Sequence, residues 1–158
     1  MTDGNSQARV WNSRRREKRR RLSNLTRNGK VISTNEIVRA LETVIMPGDK
    51  VVIEGNNQKQ ADFLARSLCE VNPDRLHDLH MIIPSISLSE HLDIFEKGIA
   101  RKLDFSYSGT QSLRISQLLE DDILEIGSVH TYIELYARLY VDLTTDVVLV
   151  AGYKADRN

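Results

Sequence analysis

Five short apolar runs are the feature that most constrains the fold of this chain. They read VVIE from residue 51, LHMII from 79, LDFSY from 103, ILEI from 123 and VVLV from 147. Their starts lie 28, 24, 20 and 24 residues apart, and each gap has room for one helix. Strands that alternate with helices indicate βαβ units. We therefore expect an α/β fold with a mainly parallel sheet and helices on both of its faces.

The segments around these runs have helical periodicity, which predicts helices at about 35–45, 58–70, 88–98, 110–120 and 129–142. The apolar residues assigned to the inner faces of three of them are Phe63, Leu64 and Leu68, then Leu113, Ile115, Leu118 and Leu119, and finally Ile133, Leu135, Tyr136, Leu139 and Tyr140.

Size and composition indicate one ordinary globular domain. The chain has 158 residues, of which 41% are hydrophobic and 28% charged. No apolar run approaches the roughly 20 residues that span a bilayer, so no membrane partner is expected. The single cysteine, Cys69, cannot form an internal disulfide, which favours a cytoplasmic protein.

The net charge of zero conceals two different segments. Residues 1–30 contain ten Lys or Arg and two acids, whereas residues 31–158 contain twelve and twenty. We therefore divide the chain into a basic N-terminal arm, which can be helical, and an α/β domain over 31–158. Such an arm is either solvated or docked on an acidic neighbour, including the body of this chain, or it binds nucleic acid. A solvated or docked arm is favoured, because only Trp11 could stack on a base and no nucleic-acid module follows.

The loops that follow the strands are the expected place for a site, since ligands bind beyond the carboxyl ends of parallel strands. Each loop is polar and leads into a helix N-terminus, which suits a carboxylate, a phosphate or a developing oxyanion. The loops read EGNNQKQ (54–60), IPSISLSE (83–90), SYSGTQS (106–112) and IGSVHT (126–131). No GxGxxG follows the first strand, and neither GxxxxGK[ST] nor GxSxG is present, which disfavours NAD binding, P-loop chemistry and a serine hydrolase.

Individual titratable residues leave alternatives open. Glu54 acts either as a base or cation ligand, or as an acceptor for loop N–H groups. His130 is the best histidine candidate for catalysis, although the role of an ordinary loop histidine is favoured. No metal is predicted, because His77 and His80 have no third ligand nearby.

Three further side chains have simple expected roles. His91 should face solvent, because it lies early in a helix. Asp104 and Arg101 flank the third strand and should pair with each other.

Several long segments resemble the alpha subunit of malonate decarboxylase. The similarity runs from about Trp11 to the last residue. The segments are PGDKVVIEGNNQKQADFLARSL (47–68), HDLHMIIPS (77–85), HLDIFEKGIARKLDFSYSGTQSLRISQLLED (91–121), EIGSVHTYIELYARLYVDL (125–143) and VAGYKADRN (150–158). That family is similar to the CoA-transferases, so a CoA-transferase-like first domain is expected.

The resemblance implies a transferase reaction in which acetyl-S-carrier and malonate give malonyl-S-carrier and acetate. The implied partners are an acyl carrier protein subunit and the decarboxylase subunits of the complex. No cofactor is expected to bind directly, because the reacting thiol belongs to a dephospho-CoA-derived prosthetic group on the separate carrier subunit.

The resemblance also suggests site residues. Related CoA-transferases place an oxyanion loop after the first strand, where this chain has Glu54, Gly55, Asn56 and Asn57. Malonate has a second carboxylate, for which the candidates are Gln58, Lys59, the Ser108-Gly109-Thr110 turn and His130.

Members of the family carry a second α/β domain, so we expect this domain to be truncated at its C-terminus and the chain alone to be inactive. Two other functions are kept as alternatives. One is a non-catalytic assembly or binding module of the decarboxylase complex, and the other, less favoured, is a nucleic-acid-associated protein that acts through its basic arm.

Overall fold

The fold is described by a computed structural model over residues 4–26, 31–55 and 61–152. Six α-helices, two 3-10 turns and five strands follow one another in these residues. The helices are α1 (Gly4–Ser23), α2 (Ile37–Val44), α3 (Asp62–Cys69), α4 (Glu90–Glu96), α5 (Ser112–Glu120) and α6 (Tyr132–Val141). The 3-10 turns are Thr34–Glu36 and Gly109–Gln111. The strands are β1 (Lys50–Ile53), β2 (Leu79–Ser85), β3 (Ala100–Tyr107), β4 (Glu125–Val129) and β5 (Val147–Leu149).

The five strands form one sheet in the order β4-β3-β2-β1-β5, and every neighbouring pair is parallel. Each connection between strands in the described residues contains a helix, as a parallel sheet requires. The predicted α/β class and parallel sheet are therefore confirmed, and all five strands end at the same edge.

Helices cover both faces of the sheet, and they do so unequally. The larger apolar core places α2, α3, α4 and α5 against one face, with Leu41, Leu68, Phe95 and Ile115 among its buried residues. On the other face, Leu135 of α6 and Leu143 pack against Val52 and Ile82. This second face thus has a small core that depends on α6.

Residues 4–23 of the basic arm form helix α1, which docks on the body of this chain. Nζ of Lys18 in α1 donates to the carbonyl of Val44 at 2.8 Å and is also paired with the carboxylate of Asp49. Both charged side chains are buried, and Asp49 additionally accepts the Met46 N–H at 2.8 Å. Nη1 of Arg14 lies 3.5 Å from Oδ1 of Asp146. Docking on an acidic part of the same chain is therefore what the structure shows for this helix.

Several side chains assigned to the interior lie at the surface instead. Leu68, Ile115, Leu118 and Leu135 are buried as expected, and Leu64 and Leu139 are partly buried. The exposed exceptions are Phe63, Leu113, Leu119, Ile133, Tyr136 and Tyr140. Helical periodicity predicted the helices themselves. When a helix has apolar residues on more than one side, however, the sequence does not show which side packs on the sheet.

Candidate functional site

The candidate site lies at the carboxyl edge of the sheet, where the loops after β1, β2, β3 and β4 emerge together. Backbone hydrogen bonds hold neighbouring loops to each other. The Ile86 N–H donates to the Tyr107 carbonyl at 2.8 Å, which joins the loop after β2 to the end of β3. The His130 N–H donates to the Phe105 carbonyl at 2.8 Å, which joins the end of β4 to β3.

Glu54 connects the loops that follow β1 and β5. Its N–H donates to the Leu149 carbonyl at 2.9 Å, and its carboxylate oxygen Oε2 accepts the Ala151 N–H at 3.1 Å. The carbonyl of Glu54 accepts the Ala61 N–H at 3.3 Å and so brings the chain back to the start of α3. Of the two roles considered for Glu54, acceptance of a loop N–H is therefore observed. Gly55 beside it is buried.

Residues Asn56, Asn57, Gln58 and Lys59 lie outside the described residues. Their assignment to the oxyanion loop and to carboxylate binding therefore stays a prediction from the sequence. The described residues on either side are Gly55, which follows β1, and Ala61, which precedes α3.

Ser108, Gly109 and Thr110 form the turn between β3 and α5. Gly109 has φ of +52°, a left-handed conformation that glycine adopts without cost. A Cβ at this position would lie 3.3 Å from Cε1 of Tyr107, so the aromatic ring closes one side of the turn. Because β2 lies between β1 and β3, the carboxyl ends of β1 and β3 are about 10 Å apart across the sheet, given the spacing of neighbouring strands.

His130 sits at the end of β4, and its side chain points away from solvent. The side chain is fully buried, and Nε2 lies 2.7 Å from Oδ1 of Asp104. Nδ1 has no hydrogen-bond partner and lies 3.6 Å from Oε1 of Glu134. Three strand spacings separate the ends of β4 and β1, so His130 is not beside Glu54.

Asp104 is the centre of a polar cluster that the sequence did not reveal. Its carboxylate is bonded to the Nε2 atoms of both His80 and His130, on either side of β3. Burial opposes the charge of Asp104, but the hydrogen bonds from His80 and His130 outweigh it and lower the pKa of the carboxyl. A Cβ at Gly127 would overlap this carboxylate and lie 2.9 Å from Cε of Lys102, so only glycine leaves the required space.

The expected Asp104–Arg101 pair is wrong. Arg101 binds the carboxylates of Asp122 at 2.7 Å and Glu125 at 3.1 Å. Successive strand residues point to opposite faces, so residues 101 and 104 of one strand cannot share a face, whereas His80 and Asp104 do share one through strand register. The alternation of side chains along β2 and β3 was therefore the sequence signal that could have placed His80 and Asp104 on one face.

His91 is also corrected, because it is fully buried and not solvent-facing. Neither ring nitrogen has a hydrogen-bond partner. Burial lowers its pKa to about 4, against a smaller opposing effect of Glu90. Within residues 4–26, 31–55 and 61–152, no three His, Cys, Asp or Glu side chains are grouped to hold a metal ion. In the same ranges, no helix has the length and apolar character needed to cross a bilayer.

The fold and this edge define the class: a parallel α/β protein with polar loops gathered at one end of the sheet. A family profile described as "Malonate decarboxylase, alpha subunit, transporter" matches residues 10–158. The chain therefore belongs to the malonate decarboxylase alpha subunit family, and the resemblance drawn from the sequence is confirmed.

Individual relatives agree with this assignment. The chain is 46% identical over 129 residues to the acetyl-S-ACP:malonate ACP transferase of Malonomonas rubra. This alignment covers 82% of this chain and 23% of the relative. It is 66% identical to a malonate decarboxylase alpha subunit from Acinetobacter baumannii, with a TM-score of 0.88 over 93% of this chain and 28% of that one. A Pseudomonas malonate decarboxylase hetero-tetramer in complex with malonate contains a chain that is 64% identical, with a TM-score of 0.86 over 94% of this chain and 27% of that one. The chain thus spans about a quarter of the length of these relatives.

Proposed function

We propose that this chain forms the first part of an acyl-carrier-protein transferase, which converts acetyl-S-ACP and malonate into malonyl-S-ACP and acetate. The observation that carries the proposal is the family match over residues 10–158, together with 64–66% identity to solved relatives. The name of the Malonomonas rubra relative states the same exchange.

The chemistry of the exchange suits a polar edge of a parallel sheet. When a carboxylate replaces a thiolate on an acyl group, the carbonyl oxygen of that group gains negative charge. Fixed N–H donors that point at this oxygen lower the barrier, and loss of one such donor typically costs about 10²–10³-fold in rate. This holds whether malonate or an enzyme carboxylate attacks the thioester first.

We assign the oxyanion role to the loop after β1, comprising Gly55, Asn56 and Asn57. Glu54 supports this loop, because its backbone and carboxylate tie the end of β1 to Leu149 and Ala151. The expected catalytic contribution of Glu54 is therefore the placement of its neighbours.

We assign the second carboxylate of malonate to Gln58, Lys59 and the Ser108-Gly109-Thr110 turn. The turn precedes α5 and presents hydroxyl groups at the same edge as β1. His130 stays a predicted member of the site, but its buried side chain and its bond to Asp104 favour an indirect role through Thr131, which caps α6 and accepts the Glu134 N–H at 3.1 Å.

The proposed partners follow from the same family. They are an acyl carrier protein subunit with a dephospho-CoA-derived prosthetic group and the decarboxylase subunits of the complex. The division into a basic arm over 1–30 and an α/β domain over 31–158, and a cytoplasmic location, are kept as predictions from the sequence.

The test uses a grafted subunit, in which residues 10–158 of this chain replace the matching part of the Acinetobacter baumannii alpha subunit. Exchange of labelled acetate into acetyl-S-ACP, dependent on malonate, is then measured for the grafted subunit and for the 158-residue chain alone. We expect exchange by the grafted subunit and none by the chain alone.

Two results would contradict the proposal. Exchange by the 158-residue chain alone would show that the rest of the relative is not needed. A grafted subunit that co-purifies with the carrier and decarboxylase subunits without exchange would favour the alternative of an assembly module, which the quarter-length coverage also permits.

A further inference from the structure

The outer side of α6 is apolar although it faces solvent. Its residues lie at intervals of three and four, the spacing by which a helix normally presents one face to a core. Four of them are 84%, 68%, 90% and 73% exposed, namely Ile133, Tyr136, Tyr140 and Val141. Together with Ala137, these four residues form a surface that we call the α6 outer stripe.

The opposite side of α6 is already used. Leu135 is fully buried against Val52 and Ile82 of the sheet, and Leu139 is partly buried beside it. A helix that is apolar on both sides is normally buried between two layers. Soluble proteins rarely expose contiguous apolar patches of this kind unless the patch is an interaction surface.

We propose that the α6 outer stripe is the surface on which the remainder of the alpha subunit packs. In the Acinetobacter baumannii and Pseudomonas relatives, more than two thirds of the chain lies outside the part matched here, while the matched part keeps its fold at TM-scores of 0.88 and 0.86. A covalently attached segment reaches this surface at a high effective concentration, which favours it over a second copy or a separate subunit.

The chemistry of the stripe fits a packed domain interface. Two tyrosines and three aliphatic residues make up its centre, and aromatic residues are enriched in such interfaces. At the end of α6 the charges of Arg138 and Asp142 are paired, since Nε of Arg138 lies 2.6 Å from Oδ1 of Asp142, the residue that follows the helix. This pairing favours an apolar occupant over a strongly charged one.

The test measures thiol accessibility and does not depend on acyl exchange. Single substitutions Tyr136→Cys and Tyr140→Cys are made in the 158-residue chain and in the grafted subunit. Glu120→Cys, at the exposed end of α5 on the other side of the sheet, is the matched control. Native Cys69 is buried, so it reacts slowly with a maleimide only while the protein is folded. Its reaction rate therefore reports whether each variant is folded.

In the grafted subunit, we expect the two stripe cysteines to react with a maleimide about 100-fold more slowly than the control cysteine, since reaction would require local opening. In the 158-residue chain, the stripe and control cysteines should react at similar rates.

Three results would overturn the proposal. In the first, the stripe cysteines of the grafted subunit react as fast as the control. In the second, they are already protected in the 158-residue chain, in a manner that depends on protein concentration, which would indicate a second copy. In the third, protection in the grafted subunit appears only after the other subunits are added.

Discussion

His130 donates from Nε2 to Oδ1 of Asp104 at 2.7 Å, which fixes the residue after β4 to the interior of β3. His80 makes the corresponding bond to Oδ2 from β2. A charged carboxylate only accepts hydrogen bonds, so both histidines donate. One side chain therefore links the first half of β2, the interior of β3 and the residue after β4.

Replacing Asp104 by Asn should destabilise the fold by about 2–3 kcal/mol, because a buried charge-assisted bond is lost and the new amide donor faces an N–H. The free energy of unfolding from urea titration at pH 7 measures this. Asp122→Asn is the control, since Asp122 is an exposed partner of Arg101 and should leave the urea midpoint unchanged. Equal effects of the two substitutions would show that the Asp104 cluster has no special role.

Burial of His91 makes stability depend on pH. Its pKa is about 4 in the folded chain and about 6.5 when exposed, so the unfolded chain binds more protons between these values. Stability is therefore complete above about pH 6.5 and falls as the pH drops toward 4, by about 2 kcal/mol at pH 4.5. Asp104, with its pKa lowered from 3.8, contributes only in a more acidic window.

The variant His91→Leu should remove this loss and keep the stability at pH 7 within about 1 kcal/mol, because neither buried nitrogen had a partner to lose. Urea titrations at pH 7 and pH 4.5 give the comparison. His77→Leu, at an exposed histidine, should retain the pH dependence of the native chain. The account of His91 fails if the slope survives its removal.

Lys18 tests whether the basic helix is part of the fold. Lys18→Ala leaves the buried carboxylate of Asp49 without its cation, which should destabilise the chain by about 3 kcal/mol. Arg19→Ala, one residue along on the exposed side of α1, should not change the unfolding midpoint. A solvated, undocked arm would make the two variants indistinguishable in thermal unfolding.

The order of the elements and the shared edge of the loops could be predicted from the sequence, because apolar runs and helical periodicity are local signals. The five strands occur where VVIE, LHMII, LDFSY, ILEI and VVLV predicted them. The polar loops after β1 to β4 then follow from the parallel connections alone.

Contacts between elements were beyond such signals. His80, Asp104 and His130 meet only because of strand register, and a register shift between Leu103 and Asp104 lies at the centre of the cluster. The burial of His91 depends on how α4 is rotated. Ile133, Tyr136 and Tyr140 of the α6 outer stripe were assigned to the interior for the same reason, since helical spacing alone does not reveal which layer a residue faces.

Acyl exchange, as we propose it, takes place at the carboxyl edge of the sheet. In the grafted subunit, the double substitution Ser108→Ala and Thr110→Ala removes two hydroxyl groups from that edge. The control, Thr144→Ala, removes an exposed hydroxyl group near the start of β5, at the opposite edge of the sheet. The measurement is kcat/KM for malonate in the exchange reaction. We predict a loss of about tenfold or more for the double variant, as expected when bound-carboxylate hydrogen bonds of about 1.5–3 kcal/mol are removed, and no loss for Thr144→Ala. Equal activity of the two variants would contradict the claim.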